Sequence, residues 1–301
     1  MSKDSTSHII QSLVANFFIA CIKGVAAFFT GSGSMAAETV HSFADCGNQG
    51  LLLLGVKQTQ RPADALHPMG YGRALYFWSF MVAMLLFTAG GVFSVYEGIH
   101  KISHPEPLEH VAIGIGVLAL SLLIEGAATL ANLKEMNVRR KGKPFFRYLR
   151  ESKDSDLIVV FGENAAASLG LLLAGVALAV AAMTGDARWD GAGSIAIGCV
   201  LVGVAVFLAW EVQSLLVGES ADETIMAAVQ KSATEHPHIL EVLNLITIQQ
   251  GPGEVMVAIK VHITPELTVR QACEVTNTFE QAVRGQCPEV RWLFVEADLP
   301  R

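Results

Sequence analysis

Six apolar runs, each at least 22 residues long, fill most of the first 217 residues of this 301-residue chain. At ~1.5 Å per residue, each run is long enough to cross a ~30 Å hydrocarbon core as a helix. Water is absent from that core and cannot take up unpaired backbone groups, so a chain built this way folds as a bundle of membrane-spanning helices. The runs fall at 9–30, 35–56, 75–99, 111–133, 157–183 and 191–217. Only Gly31-Ser32-Gly33-Ser34 separates the first two, which makes them antiparallel neighbours. With 52% hydrophobic and 16% charged residues, against ~25% charged in an ordinary soluble domain, a soluble globule is excluded. The first run has only Lys3 as a basic residue before it and no cleavage site, and it reads as a retained membrane helix.

The character of the chain changes after residue 218. Residues 219–301 hold 6 Lys/Arg against 12 Asp/Glu, whereas the first 218 hold 15 against 16. Two domains are expected: a six-helix transmembrane domain over 1–218 and an acidic soluble domain over 219–301 with no nucleic-acid signature. In the second, helical spacing at 221–235 precedes strand-like runs at 239–250 and 254–263 across the turn Gly251-Pro252-Gly253. A helix at 269–284 and a strand at 290–296 follow. The expected fold is an α-helical membrane protein whose six transmembrane helices lead into a small cytoplasmic α/β domain of ferredoxin-like order. Orientation follows from the basic residues. Lys57, Arg61 and Arg73 follow the second run, and eight Lys/Arg between Lys134 and Lys153 follow the fourth; the opposite side has only Lys101 and Arg188. Both termini are therefore expected on the cytoplasmic side of a bacterial inner membrane. The five cysteines form no C-x-x-C pair.

Ionisable residues inside the runs are where function is expected, because a charge at mid-bilayer costs ~2.5–3.5 kcal/mol on insertion scales. His41 and Asp45, four residues apart, lie one above the other on a helix face, so both reach one point between helices. The bland alternative is a buried Asp paired with its own His for packing. Glu163-Asn164 interrupts the fifth run. Asp45 is expected ~15 Å deep from one side and Glu163 ~10 Å from the other, so the two levels differ by only ~5 Å. His41, Asp45, Glu163 and Asn164 can thus converge on one cation near the midplane, where two carboxylates offset its charge. One imidazole with carboxylate oxygens suits Zn2+, and also accepts Mn2+, Co2+ or Fe2+. An imidazole with an ordinary pKa near ~6.5 exchanges its proton for a metal in the physiological range, which couples the two. Lys23 is placed to snorkel or to pair with Glu125. Glu38 reads either as an exit-path ligand or as a solvated helix-end carboxylate. Asp64 and His67, three apart in a turn-rich loop, form a second metal pair or plain polar surface. In the tail, His236, His238, His262, Cys273, Cys287, Glu296 and Asp298 are ligand types at spacings that fix nothing. Ser42 and Cys46 have no base beyond His41 to activate them, which argues against an intramembrane hydrolase.

These residues carry a resemblance. Six spans, His-x-x-x-Asp in the second, the loop R-P-A-D-A-L-H-P-M-G-Y-G-R and the α/β tail together resemble the cation diffusion facilitators. The run H-S-F-A-D-C-G-N-Q-G-L-L-L-L-G, with Y-F-W-S-F and G-G-V-F-S-V-Y-E-G-I-H, is most similar to the branch holding the ninth human zinc transporter and its bacterial relatives. The resemblance implies a homodimeric antiporter that exchanges Zn2+ or a related divalent cation for protons by alternating access, with its tails dimerising in the cytoplasm. It puts transport ligands at His41 and Asp45. The fifth span departs from the family pattern, with Val160 and Asn164 at the usual ligand positions; the branch expects Glu-Asp where this chain has Glu163-Asn164. Asp64 and His67 match a loop metal site whose third position carries Tyr71. His262 and the pair Glu296 and Asp298 match tail ligand positions, with Cys273 where a histidine often stands. A membrane protein that senses metal or assembles without transporting is the alternative from another class.

Overall fold

The computed structural model describes the backbone of residues 3–108, 110–140, 142, 144–151 and 155–300, and their side chains except at 3–12, 15, 150, 151, 155 and 156. Lys141, Lys143 and Lys153 of the basic connector lie outside these residues. The elements run α1 (Lys3–Thr30), α2 (Gly33–Thr59), α3 (Ala74–Leu85), α4 (Phe93–Ser103), α5 (Val111–Arg139), α6 (Phe145–Glu151), α7 (Ser155–Thr184) and α8 (Arg188–Val217). The second part is α9 (Glu223–Thr234), β1 (Ile239–Gly251), β2 (Glu254–Ile263), α10 (Val269–Gln286) and β3 (Val290–Ala297). The chain divides into two compact units. One takes residues up to Lys57, 77–149 and 155–212, and the other takes 58–76, 150–154 and 213–301.

The first unit is the six-helix membrane bundle. Four spans (Ala74–Ser103, Val111–Arg139, Leu157–Thr184 and Arg188–Val217) are long and apolar enough to cross a membrane on composition alone, and α1 adds the apolar stretch Asn16–Thr30. Helix α2 has the length but carries Glu38, His41, Asp45, Asn48 and Gln49 along its middle. Large apolar side chains such as Phe28, Leu123 and Trp210 point outward, as they do where the solvent is lipid.

The expected third span is continuous but not uniformly α-helical. Between α3 and α4 the segment Leu86–Val92 is π-helical, and the amide of Phe93 still bonds back to the Thr88 carbonyl. Helices α4 and α8 touch backbone to backbone. A Cβ at Gly98 would sit 2.5 Å from the Gly191 carbonyl oxygen, and one at Gly198 would sit 2.8 Å from the Gly91 carbonyl oxygen. Small residues let membrane helices approach this closely, which replaces the hydrophobic drive that lipid does not supply.

The turn joining α1 to α2 is held by a buried acid. Asp190, in the first turn of α8 and fully buried, accepts from Ser32 Oγ (2.7 Å), from the amide of Gly33 (2.6 Å) and from Ser34 Oγ. The first amides of a helix have no partner within it and carry its positive dipole end, so a carboxylate there satisfies both needs. Lys101 of α4 donates to the Gly31 carbonyl at 2.7 Å and ties the same turn from another side.

In the second unit the sheet order is β1-β2-β3, with β1 antiparallel and β3 parallel to β2. Val255, Val257, Ile259 and Val261 alternate along β2 and are buried against Val229 and Ala233 of α9 and Val275, Phe279 and Val283 of α10. Both helices thus cover one face of the sheet. Thr268 and Gln271 form a capping box that starts α10.

Candidate metal site

Helix α2 sets His41, Asp45 and Asn48 at i, i+4 and i+7, on one face. His41 is fully buried, and neither ring nitrogen has a hydrogen-bond partner among the described residues. Its Nε2 lies 3.7 Å from Asp45 Oδ2, too far for a hydrogen bond and close enough for both to touch one ion. Asp45 Oδ1 is likewise buried without a partner. Buried polar atoms left open are costly, by about 1–3 kcal/mol each, which makes His41 and Asp45 candidate ligands. The two share no hydrogen bond, and at 3.7 Å they stand within ion-pair range of each other.

Helix α7 brings Glu163 and Asn164 to the cavity that Asp45 lines, and His41 does not line that cavity. Glu163 Oε1 accepts from Asn48 Nδ2 at 2.5 Å, and Glu163 is 7% exposed. Thr129 of α5 donates to the Asn164 carbonyl at 2.9 Å. Asp45, Glu163 and Asn164 line one cavity of about 150 Å³, together with Asn16, Gln49 and Glu125. The two α2 and α7 carboxylates are therefore neighbours across a space with room for several waters. Among the described residues no three His, Cys, Asp or Glu side chains stand close enough together to hold a metal ion.

Beside the cavity, Lys23 is fully buried and donates to Glu125 Oε1 (2.8 Å) and Ser42 Oγ (2.9 Å), with Glu38 Oε2 at 3.4 Å. The expected Lys23–Glu125 pair is present. Glu38 is fully buried in this network, so its reading as a solvated helix-end carboxylate is corrected: α1 and α7 cover it. Asn48 joins the His41–Asp45 face as well. Its signal is there in the sequence, since it continues that face by one further turn.

In the second unit, Asp64 and His67 do meet, with His67 Nδ1 3.3 Å from Asp64 Oδ1. That carboxylate is already engaged: it accepts from the amides of Leu66 (2.9 Å) and His67 (2.7 Å) and from the Tyr71 hydroxyl (2.7 Å). The Tyr71 hydroxyl, with the His67 amide next in weight, pulls the Asp64 carboxyl down to about 2. A carboxyl whose folded pKa is depressed supports its turn above the unfolded value and loses that support as the pH falls through about 2. Tyr71→Phe should raise the Asp64 pKa towards the usual carboxylate range; an unchanged value in a carboxyl NMR titration would rule out the hydroxyl as the main cause. The tail carboxylates also have a cation. Lys260 lies 2.9 Å from Glu296 Oε1 and 3.3 Å from Asp298 Oδ2. His262 is two residues along the same strand, paired in register with Glu241 of β1.

The family profile of the cation efflux transmembrane domain matches residues 9–217. The human mitochondrial proton-coupled zinc antiporter SLC30A9 is 31% identical over 273 residues, covering 88% of this chain and 48% of that protein. The chain thus spans about half the length of this relative. Metal tolerance protein C4 of Arabidopsis thaliana is 28% identical, covering 91% of this chain and 60% of its own. The cation-efflux pump FieF of Klebsiella pneumoniae is 27% identical, covering 89% and 84%. A solved MamM C-terminal domain is 24% identical over 26% of this chain and 99% of its own, with a TM-score of 0.25.

Proposed function

Because the chain belongs to the cation efflux family, and is a membrane protein of metal-cation transport and not an enzyme, we propose that it exchanges Zn2+ for protons by alternating access. The observation that carries this reading is the fully buried His41, with both nitrogens open and the Asp45 carboxylate 3.7 Å away. His41, Asp45, Glu163 and Asn164 form the transport site. The imidazole supplies the nitrogen that zinc prefers, and the two carboxylates offset the divalent charge. The human relative carries proton-coupled zinc antiport in its name, and the same coupling is proposed here. Zinc binds only neutral imidazole, so binding releases a proton and protons from the far side expel the ion. Mn2+, Co2+ or Fe2+ accept the same kind of ligand set and are the alternative substrates of the same cycle.

The further parts of the proposal follow the same frame. The chain works as a homodimer in lipid, in a bacterial inner membrane, with both termini cytoplasmic and the transmembrane and cytoplasmic domains meeting at 218/219. Asp64 with His67, and His262 with Glu296 and Asp298, are secondary metal positions on the cytoplasmic side. The test is zinc titration of the purified chain across pH. Affinity should fall as the pH is lowered from about 7.5 to 5.5, because metal and protons compete for one imidazole, and His41→Asn should flatten the curve. A wild-type affinity that does not change with pH over this interval would end the assignment of His41 as proton carrier.

A further inference from the structure

A third carboxylate, Glu125 of α5, faces the cavity that Asp45 and Glu163 line. Its two oxygens are in different states. Oε1 accepts from the buried Lys23 ammonium at 2.8 Å, and Oε2 is buried with no hydrogen-bond partner among the described residues. Lys23 in turn has Ser42 Oγ at 2.9 Å and Glu38 Oε2 at 3.4 Å, which exhausts the three donors of an ammonium and fixes its position. One ammonium is shared by two carboxylates, Glu125 at 2.8 Å and Glu38 at 3.4 Å, so the trio holds one more acid than base, and Glu125 is the acid of the two that lines the cavity. Leaving a carboxylate uncompensated at this depth is expensive unless another cation visits it.

From this geometry we infer that Glu125 is a further ligand of the intramembrane cation, presented by Lys23 and supplying the carboxylate charge that Asn164 does not. This rests on the cavity being the transport site. Lys23 is then a positioning residue. It holds Oε1 so that Oε2 faces the ion, and by sharing the charge it keeps the third ligand weak enough to let go.

The test is calorimetric titration of the full-length chain in detergent with Zn2+ alone, paired with zinc flux in proteoliposomes. Glu125→Gln keeps an acceptor for Lys23 and should weaken zinc binding about tenfold to a hundredfold. Lys23→Met should do the opposite, with tighter zinc binding and slower turnover, because Glu125 then meets the ion with undivided charge. The double variant Lys23→Met/Glu125→Gln removes the Lys23–Glu125 ion pair and leaves Glu38 as the remaining acid of the network, and it decides the matter if either single variant fails to fold. It should bind zinc as weakly as Glu125→Gln. Wild-type affinity in the double variant, or in Glu125→Gln, would make Glu125 only a counter-ion for Lys23 and overturn the inference. If Asp45→Ala also titrates like wild type, it is the cavity as transport site that fails.

Discussion

Asp45→Ala is expected to reduce zinc uptake in proteoliposomes to the level of empty vesicles, and Glu163→Ala to do the same. A divalent ion near the middle of a bilayer needs its charge offset, and these two acids come from separate helices to one cavity. Removing either leaves an uncompensated charge on the loaded site, a cost of about 3–5 kcal/mol and more than a hundredfold in occupancy. The fold should survive both changes. Asp45 gives up no hydrogen bond from Oδ1, and Glu163→Ala strands a single donor, Asn48 Nδ2, at about 1–3 kcal/mol. Elution of both variants at the wild-type position, with flux lost, is the expected pair of results. Full flux through Glu163→Ala would remove α7 from the site.

Asp190→Ala is expected to be the most damaging single change to stability. The carboxylate is fully buried and satisfies the Gly33 amide and two serine hydroxyls at the start of α2. Loss of a helix cap costs about 0.5–2 kcal/mol, and stranding a buried amide adds about 1–3. A total of about 1.5–5 kcal/mol corresponds to a fall of roughly 3–20 °C in the unfolding midpoint for a unit of this size. Asp190→Asn, which keeps one acceptor oxygen, should lose less. Flux should fall with stability, since this carboxylate anchors the helix that carries His41 and Asp45. A midpoint within a degree of wild type in Asp190→Ala would show that water replaces the carboxylate.

The spans, the order of the tail elements and the His41–Asp45 face could all be read from residue patterns, because each rests on local periodicity. Features that need the folded chain could not. Asp190 looks like an ordinary acid beside Arg188 and Trp189 in a polar connector, and only the closing of α8 onto the α1–α2 turn buries it. Lys260 and Glu296 are 36 residues apart and meet only through the parallel register of β2 and β3, which no local pattern encodes. The Asp64–His67 spacing was visible. What was not visible is that two amides and the Tyr71 hydroxyl would already occupy the carboxylate. Glu125 was seen only as a partner for Lys23, since the cavity it borders is made by four helices at once.

The glycine contacts between α4 and α8 constrain how such a bundle can move. Helix α8 touches α4 at Gly98 and the π-helical segment before it at Gly91, through Gly191 and Gly198, and the two cannot slide by a residue without driving a side chain into a carbonyl. They behave as one strut. The side chains that border the cavity come from α1, α2, α5 and α7 and none from that strut. A change in the shape of the cavity can therefore come from the four helices that border it while that pair keeps its register, and the Asp190 anchor ties the start of α2 to the pair.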